Sequence, residues 1–310
     1  MLLVTGATGY LGAALIDRLR DERLPVRAMV RSSARAAALP NGVSWMTGDL
    51  SDPESLRRAV TGCTGVFHLA ASLGDNLEET RRLNVAGTQA LLSAALEAGV
   101  RRFVHTSSSA AILASDGLVS EQAPGGTALV DPYSTSKSEA EQLVLGAADR
   151  LDVMVVNPVN IYGPSRAGAY SYNSLFAAAA AGTVDAVVDA PVGWVLAADV
   201  ADALLLAYRD GKSGQRYVVC GEVAPFGSVI NRYVELAGGA RPVRVLEPGA
   251  DLGADAHPFA VRSQVYGKFE PVRIDDAGAR ALGCRPRTLA EGLPATAEWL
   301  TALAASDPAR

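Results

Sequence analysis

A chain of 310 residues, 49% hydrophobic and 20% charged, has the apolar mass of one or two packed domains. That composition excludes a disordered chain, a collagen-like repeat and a disulfide-stapled miniprotein. A formal charge of −5 with no basic cluster argues against nucleic acid or anionic lipid as a partner.

Cys63, Cys220 and Cys284 lie far apart, without metal-ligand spacing, so no metal centre and no disulfide framework are expected. The opening MLLVTGATGYLG lacks the basic start and long apolar stretch of a secretory signal. Asp185, Asp199 and Asp202 interrupt the Ala/Leu-rich stretches 175–190 and 195–208 before about 18 apolar residues accumulate. The expectation is a soluble, cytoplasmic protein with no membrane span.

From the N-terminus, short β-branched runs alternate with Ala/Leu-rich amphipathic stretches. The pattern predicts strands at 2–5, 25–30, 43–47, 64–69, 101–106 and 152–156, with helices at 10–22, 52–60, 76–98 and 132–149. This alternation implies an α/β protein: a Rossmann doubly wound parallel sheet with right-handed crossovers. Beyond residue 158 come Gly/Pro/Ser-rich loops at 161–174, helices near 174–181 and 199–209, and a strand at 216–220 that should return to the main sheet. Helices near 226–238 and 288–305 follow, with irregular chain around 247–271. Residues 1–159 plus 194–221 are read as the dinucleotide-binding domain, and 160–193 plus 222–310 as a smaller C-terminal substrate-binding lobe, with the ligand in the cleft between them.

Gly6, Gly9 and Gly12 are spaced G-x-x-G-x-x-G between the first strand and the first helix. Gly6 allows a tight turn, Gly9 lets backbone approach a pyrophosphate, and Gly12 lets the helix pack close on the strand. The backbone of Thr8, Tyr10 and Leu11 belongs to the same cradle. The second strand ends in Val30-Arg31-Ser32-Ser33, with no carboxylate for a ribose 2′-hydroxyl. Arg31, helped by Ser32, suits a 2′-phosphate, so NADP(H) is expected as the preferred cofactor, with NAD(H) as the alternative. After the third strand, Asp49 is placed to accept from an adenine amino group and Leu50 to pack on its ring, while Asp52 fits the cap of the next helix ahead of Pro53.

Asp131 and Pro132 open a helix that puts Tyr133 and Lys137, four residues apart, on one face. A tyrosine with its ordinary pKa near 10 is a poor proton shuttle at neutral pH, and an ammonium together with a nearby oxidised nicotinamide can lower that value. Only three residues are lysines, Lys137, Lys212 and Lys268, among 28 basic residues, so a lysine at this spacing asks for a reason. The fifth strand ends in Thr106-Ser107-Ser108-Ser109 at the carboxyl edge of the sheet, where such folds bind ligands. Ser108 is the chosen carbonyl-binding hydroxyl, Ser109 the alternative, and Thr106 a structural residue near the cofactor.

Together these segments resemble the extended or atypical short-chain dehydrogenase/reductase superfamily. The likeness rests on TGATGYLG (5–12), GDL (48–50), HLAA (68–71), NVAGT (84–88), FVHTSSS (103–109), PYSTSK (132–137), NPVNIYGP (157–164) and ADVADA (198–203). It implies a catalytic triad of Ser108, Tyr133 and Lys137. It also implies that His68, Leu69, Ala70 and Ala71 line the cofactor pocket and that Asn157 and Pro158 form its nicotinamide side. Asn84 is expected to be structural, His68 to be equally well a hydrogen-bonded core residue, His105 to be packing, His257 to sit in a surface loop, with a place in the substrate cleft as the alternative, and Asp199 to cap the helix that follows.

Nucleotide-sugar dehydratases usually carry an Asp-Glu pair beside the active-site hydroxyl, where this chain reads Thr106 to Ala111. Sugar epimerases usually show an Arg-Asp where this chain has Val192-Gly193, although Arg232, Arg241, Arg244, Arg262 and Arg273 offer a diphosphate clamp from the smaller lobe. The pattern is most similar to the dihydroflavonol-reductase-like and hydroxysteroid-dehydrogenase-like branch. That implies hydride transfer to a ketone or aldehyde of a small, mostly apolar molecule; a nucleotide-sugar epimerase with tightly held NAD is the alternative, and a non-catalytic redox sensor a third reading. Helices 76–98 and 132–149 fit either a homodimer interface or, with Arg81, Arg82, Glu139 and Glu141, a solvated face.

Overall fold

The computed structural model describes residues 1–269 and 271–306. Glu270 and the last four positions assigned to the smaller lobe, 307–310, lie outside the described residues. Seven parallel strands form the central sheet, in the order 215–219, 152–158, 102–106, 65–68, 2–5, 26–30 and 44–47. The strand Gln215–Val219 joins its edge in parallel with Asp152–Pro158, as its sequence predicts. The chain turns back at the central strand Leu2–Thr5, whose neighbours are Val26–Val30 on one side and Gly65–His68 on the other. This is the switch point of a doubly wound sheet, where a crevice opens above the carboxyl ends of the strands.

Both faces of the sheet are covered because its strands are apolar on both sides. On one face Leu15, Ile16 and Leu19 of the helix Tyr10–Asp21 pack with Val200, Leu204 and Leu205 of the helix Ala197–Asp210. On the other, Leu56, Leu91, Leu92 and Val144 come from helices that follow the third, fourth and fifth strands. A third core gathers Tyr172, Phe176, Trp194, Phe226 and Tyr233, with Phe176 stacked on Tyr233 at a centroid distance of 4.6 Å. Around it lie small sheets with no sequence-level signature: 222–225, 191–196 and 160–162 in one, and the pairs 244–246 with 186–188 and 273–275 with 118–120.

Three expectations are corrected. The stretch 76–98 is not one uniform helix: Leu77–Thr80 and Gly87–Glu97 flank a π-helical segment, Arg81–Ala86. There Asn84 accepts from Ser72 N at 2.7 Å and donates to the Ser72 carbonyl and to Ser136 Oγ, each at 3.0 Å, a structural role as expected. The helix expected over 132–149 ends at Leu145. The chain around 247–271 is not wholly irregular, since Pro258–Tyr266 is a helix, capped by His257 at the end of the preceding loop: Phe259 N donates to His257 Nδ1 at 3.2 Å.

Candidate active site

Gly6 closes its turn with φ +69°, and Gly9 N donates to its carbonyl at 2.9 Å. A Cβ on Gly6 would fall 2.8 Å from Ala70 N, and one on Gly12 would fall 2.0 Å from the Gly6 carbonyl oxygen. Both glycines are therefore required by close backbone approach. Gly9 caps the helix Tyr10–Asp21 with no side-chain hydrogen bond, so the first-turn amides are free to face an anion. Such a cradle, which any side chain would fill, fits a dinucleotide pyrophosphate. The Tyr10 hydroxyl donates to the Gly163 carbonyl at 2.8 Å, and Ser165 Oγ donates to the Tyr10 carbonyl at 2.9 Å, fastening the loop after residue 162 beside the turn.

Leu69 and Ala70 are half-buried against Gly6, and Ala71 is exposed. At the adenine end, Arg31 is exposed and makes no ion pair within 4.0 Å among the described residues, and Ser32 makes no capping bond. Asp49 accepts from Ser51 Oγ at 2.6 Å and Ser51 N at 2.8 Å. These bonds hold its carboxyl below its ordinary value, against burial, with help from Arg31 and Arg82. Leu50 is buried against Gly87, and the helix cap belongs to Asp52, which accepts from Glu54 N and Ser55 N.

Asp131 caps the helix Pro132–Leu145 by accepting from Ser134 N at 3.0 Å. On that helix Tyr133 is half-buried and Lys137 buried at 3% exposure. The Lys137 ammonium donates to the carbonyl of Thr106, the last residue of the fifth strand, at 2.6 Å. Ser108, the next hydroxyl but one, caps a short 3₁₀ turn by accepting from Ala110 N at 3.2 Å, and its nearness to the Tyr133 phenol favours the ionised form. The side-chain oxygens of Thr106 and Ser107 are buried without a partner among the described residues. The structure thus brings Ser108, Tyr133, Lys137 and Thr106 together at one strand end.

Burial raises the Tyr133 phenol above its ordinary value, and Ser108 and then Arg262 act against that rise. Lys137 itself is held down to about 8 by burial, with Glu141 opposing. Asn157 is fully buried; its amide donates to the Ser108 carbonyl at 3.1 Å and to Glu141 at 2.6 Å. Pro158 ends the same strand.

Several residues of this site escape the sequence. Arg262 reaches in from the helix Pro258–Tyr266, with Nη1 3.4 Å from Asp131 and Nη2 3.4 Å from the Tyr266 hydroxyl. Of the five arginines considered as a clamp it is the one beside Tyr133; Arg232, Arg241 and Arg273 pair with Glu235, Asp185 and Asp116. Glu141 is not on a solvated face: it is 1% exposed and ion-paired with Arg216. Arg81 and Glu139 do lie at the surface, paired with each other at 2.5 Å. His105 is more than packing, because its Nε2 lies 3.4 Å from Lys137 Nζ. His68 is the hydrogen-bonded core histidine, held between Thr5 and Thr88. Asp199 sits within the first turn of its helix and serves as the partner of Arg287, at 2.6 Å, rather than as a cap.

Among the described residues no helix is long and apolar enough to cross a membrane, and no cluster of metal-ligating side chains occurs. The sequence profile of the NAD dependent epimerase/dehydratase family matches residues 2–220. The chain is 36% identical over 303 aligned positions to sterol demethylase protein B of Methylococcus capsulatus, covering 92% of this chain and 91% of that protein. It is 31% identical over 324 aligned positions to the 4-hydroxy-2-methyl-3-oxo-4-farnesyl-3,4-dihydroquinoline-1-oxide ketoreductase of Stigmatella aurantiaca, covering 94% of each. The crystal structure of gox2253 superposes with a TM-score of 0.82 at 29% identity, over 98% of both chains. The chain therefore belongs to the NAD-dependent epimerase/dehydratase family of the extended short-chain dehydrogenase/reductase superfamily and is an NAD(P)-dependent oxidoreductase.

Proposed function

We propose that this protein catalyses reversible hydride transfer between NADP(H) and a ketone or aldehyde, or the corresponding secondary alcohol, on a small, mostly apolar molecule. The observation that carries this reading is the gathering of Ser108, Tyr133 and Lys137 at the end of the fifth strand, where Lys137, one turn after Tyr133 on its helix, donates to the Thr106 carbonyl at 2.6 Å. Residues 1–159 plus 194–221 hold the cofactor, and 160–193 plus 222–310 shape the substrate pocket. Gly6, Thr8, Gly9, Tyr10, Leu11 and Gly12 cradle the pyrophosphate, Asp49 and Leu50 receive the adenine, and Leu69, Ala70, Ala71, Asn157 and Pro158 wall the site.

The bound dinucleotide supplies the hydride. Ser108 hydrogen-bonds the substrate carbonyl and orients it, and Tyr133 gives its phenolic proton to the nascent alkoxide. Lys137 favours the tyrosinate that remains and binds ribose hydroxyls, while Asn157 fixes the loop bearing Ser108. Arg262 adds positive charge near the phenol. A preference for NADP(H) is supported by Arg31, an exposed guanidinium at the end of the second strand with no ion pair among the described residues and with Ser32 next in the chain. An apolar substrate is supported by two relatives named for a sterol and for a farnesylated dihydroquinoline, and by apolar chain next to Ser109: Leu113, Val119, Val159 and Val192.

Purified protein assayed with NADPH and with NADH against a panel of carbonyl compounds tests the proposal. Turnover that prefers NADPH supports it. Denaturing the protein and finding stoichiometric NAD, with no exchange, points instead to a nucleotide-sugar epimerase.

A further inference from the structure

Two histidines lie buried beneath the site, and their hydrogen bonds assign them different tautomers. Thr88 Oγ1 donates to the Asn84 carbonyl at 2.5 Å, so toward His68 Nε2, 2.8 Å away, it is an acceptor, and His68 carries its proton on Nε2. Thr5 Oγ1 then donates to the bare Nδ1 at 2.8 Å. The His105 ring, with its centroid 5.2 Å from that of His68, has no hydroxyl partner. Its Nδ1 is buried and unpartnered among the described residues, and its Nε2 is 3.4 Å from Lys137 Nζ. An ammonium has no lone pair, so this contact is attractive only when His105 Nε2 is bare.

We propose that His105 is a positioning residue for Lys137: as the neutral Nδ1–H tautomer it accepts one ammonium proton through Nε2. The Thr106 carbonyl takes a second proton at 2.6 Å, and the third N–H is left for a ligand hydroxyl. Only that last part rests on the functional reading. An orphaned Nδ1–H is destabilising, and the compensation is the charge-assisted bond to the lysine. The charged and titratable groups around the pair agree with this. His68, from the adjacent strand, is itself neutral; Glu141, one turn beyond Lys137, favours the ammonium; and Tyr133, one turn before it, carries no charge when protonated. The face of the strand 102–106 opposite Val104 and Thr106 thus does chemical work for the helix that packs on it.

With three histidines and three lysines in the chain, NMR of the full-length, cofactor-free protein reads both groups directly. Imidazole nitrogen–proton correlations should show His68 protonated on Nε2 and His105 on Nδ1. The ¹³Cε signal of Lys137, identified by its loss in Lys137→Arg, should titrate near 8. In His105→Phe that midpoint should fall by about one pH unit or more, the size of a lost charge-assisted hydrogen bond, and His105→Gln, whose amide oxygen can accept, should restore most of it. A proton on His105 Nε2, or an unmoved Lys137 midpoint in His105→Phe, overturns the proposal. Should His105→Phe fail to fold, the wild-type tautomer decides. None of these readings needs a substrate, so they stand or fall apart from the hydride-transfer reading, which the turnover assay tests.

Discussion

The Asn157 side-chain nitrogen donates to the Ser108 carbonyl at 3.1 Å and to the Glu141 carboxylate at 2.6 Å, so one buried amide joins the strand, the serine loop and the tyrosine helix. Behind it, Arg216 pairs with Glu141 and donates to the Ala123 carbonyl at 2.8 Å. Removing one partner of such a buried pair strands the other charge.

Glu141→Leu should therefore cost about 3–5 kcal/mol in urea denaturation, since Arg216 would stay buried without its partner. The double variant Glu141→Leu/Arg216→Met should recover most of that loss. A Glu141→Leu protein as stable as wild type would show that the pair does not hold this corner together.

Arg31 governs the choice of dinucleotide in the proposed function. Arg31→Ala should lower kcat/KM for NADPH about 10–100-fold, the loss of one or two charge-assisted bonds to a 2′-phosphate, with a far smaller effect on NADH. Equal losses with both cofactors would assign Arg31 to the fold instead.

Stability should fall on mild acidification. Burial, aided by the Lys137 charge, holds the His68 imidazole down to about 3, against about 6.5 in an unfolded chain. Between those values the unfolded chain binds a proton that the native chain does not. The stabilisation is complete above pH 6.5 and is lost as pH falls toward 3, by up to about 1.4 kcal/mol per pH unit. His105, also held well below its ordinary value by burial, acts in the same direction. Urea midpoints measured from pH 7 to pH 5 should decline, and His68→Gln should flatten that slope; a flat wild-type profile would contradict neutral, buried rings.

Features encoded by neighbouring residues were legible in the sequence. The glycine turn, the Asp52 and Asp131 caps and the four-residue spacing of Tyr133 and Lys137 depend on contacts within about one turn of chain. What escaped depends on distant partners. Glu141 continues the same spacing, which was a usable signal, but its burial is decided by Asn157 and by Arg216, 75 positions away. Asp199 reads as a cap until Arg287, 88 positions on, claims its carboxylate. Strand alternation puts His105 opposite Val104 and Thr106, yet its contact with Lys137 requires knowing which helix covers that face. His257-Pro258 did carry a helix-start signal, and the small sheets depend on pairing between segments distant in the chain.

The most direct measurement compares NADPH oxidation by wild type and Tyr133→Phe on a carbonyl substrate found in the panel, with folding checked by circular dichroism. Loss of the group that gives its proton to the nascent alkoxide predicts a drop in kcat of about 10²–10⁴-fold, with dinucleotide binding kept. Undiminished turnover by Tyr133→Phe would contradict the assignment of that phenol as the proton donor.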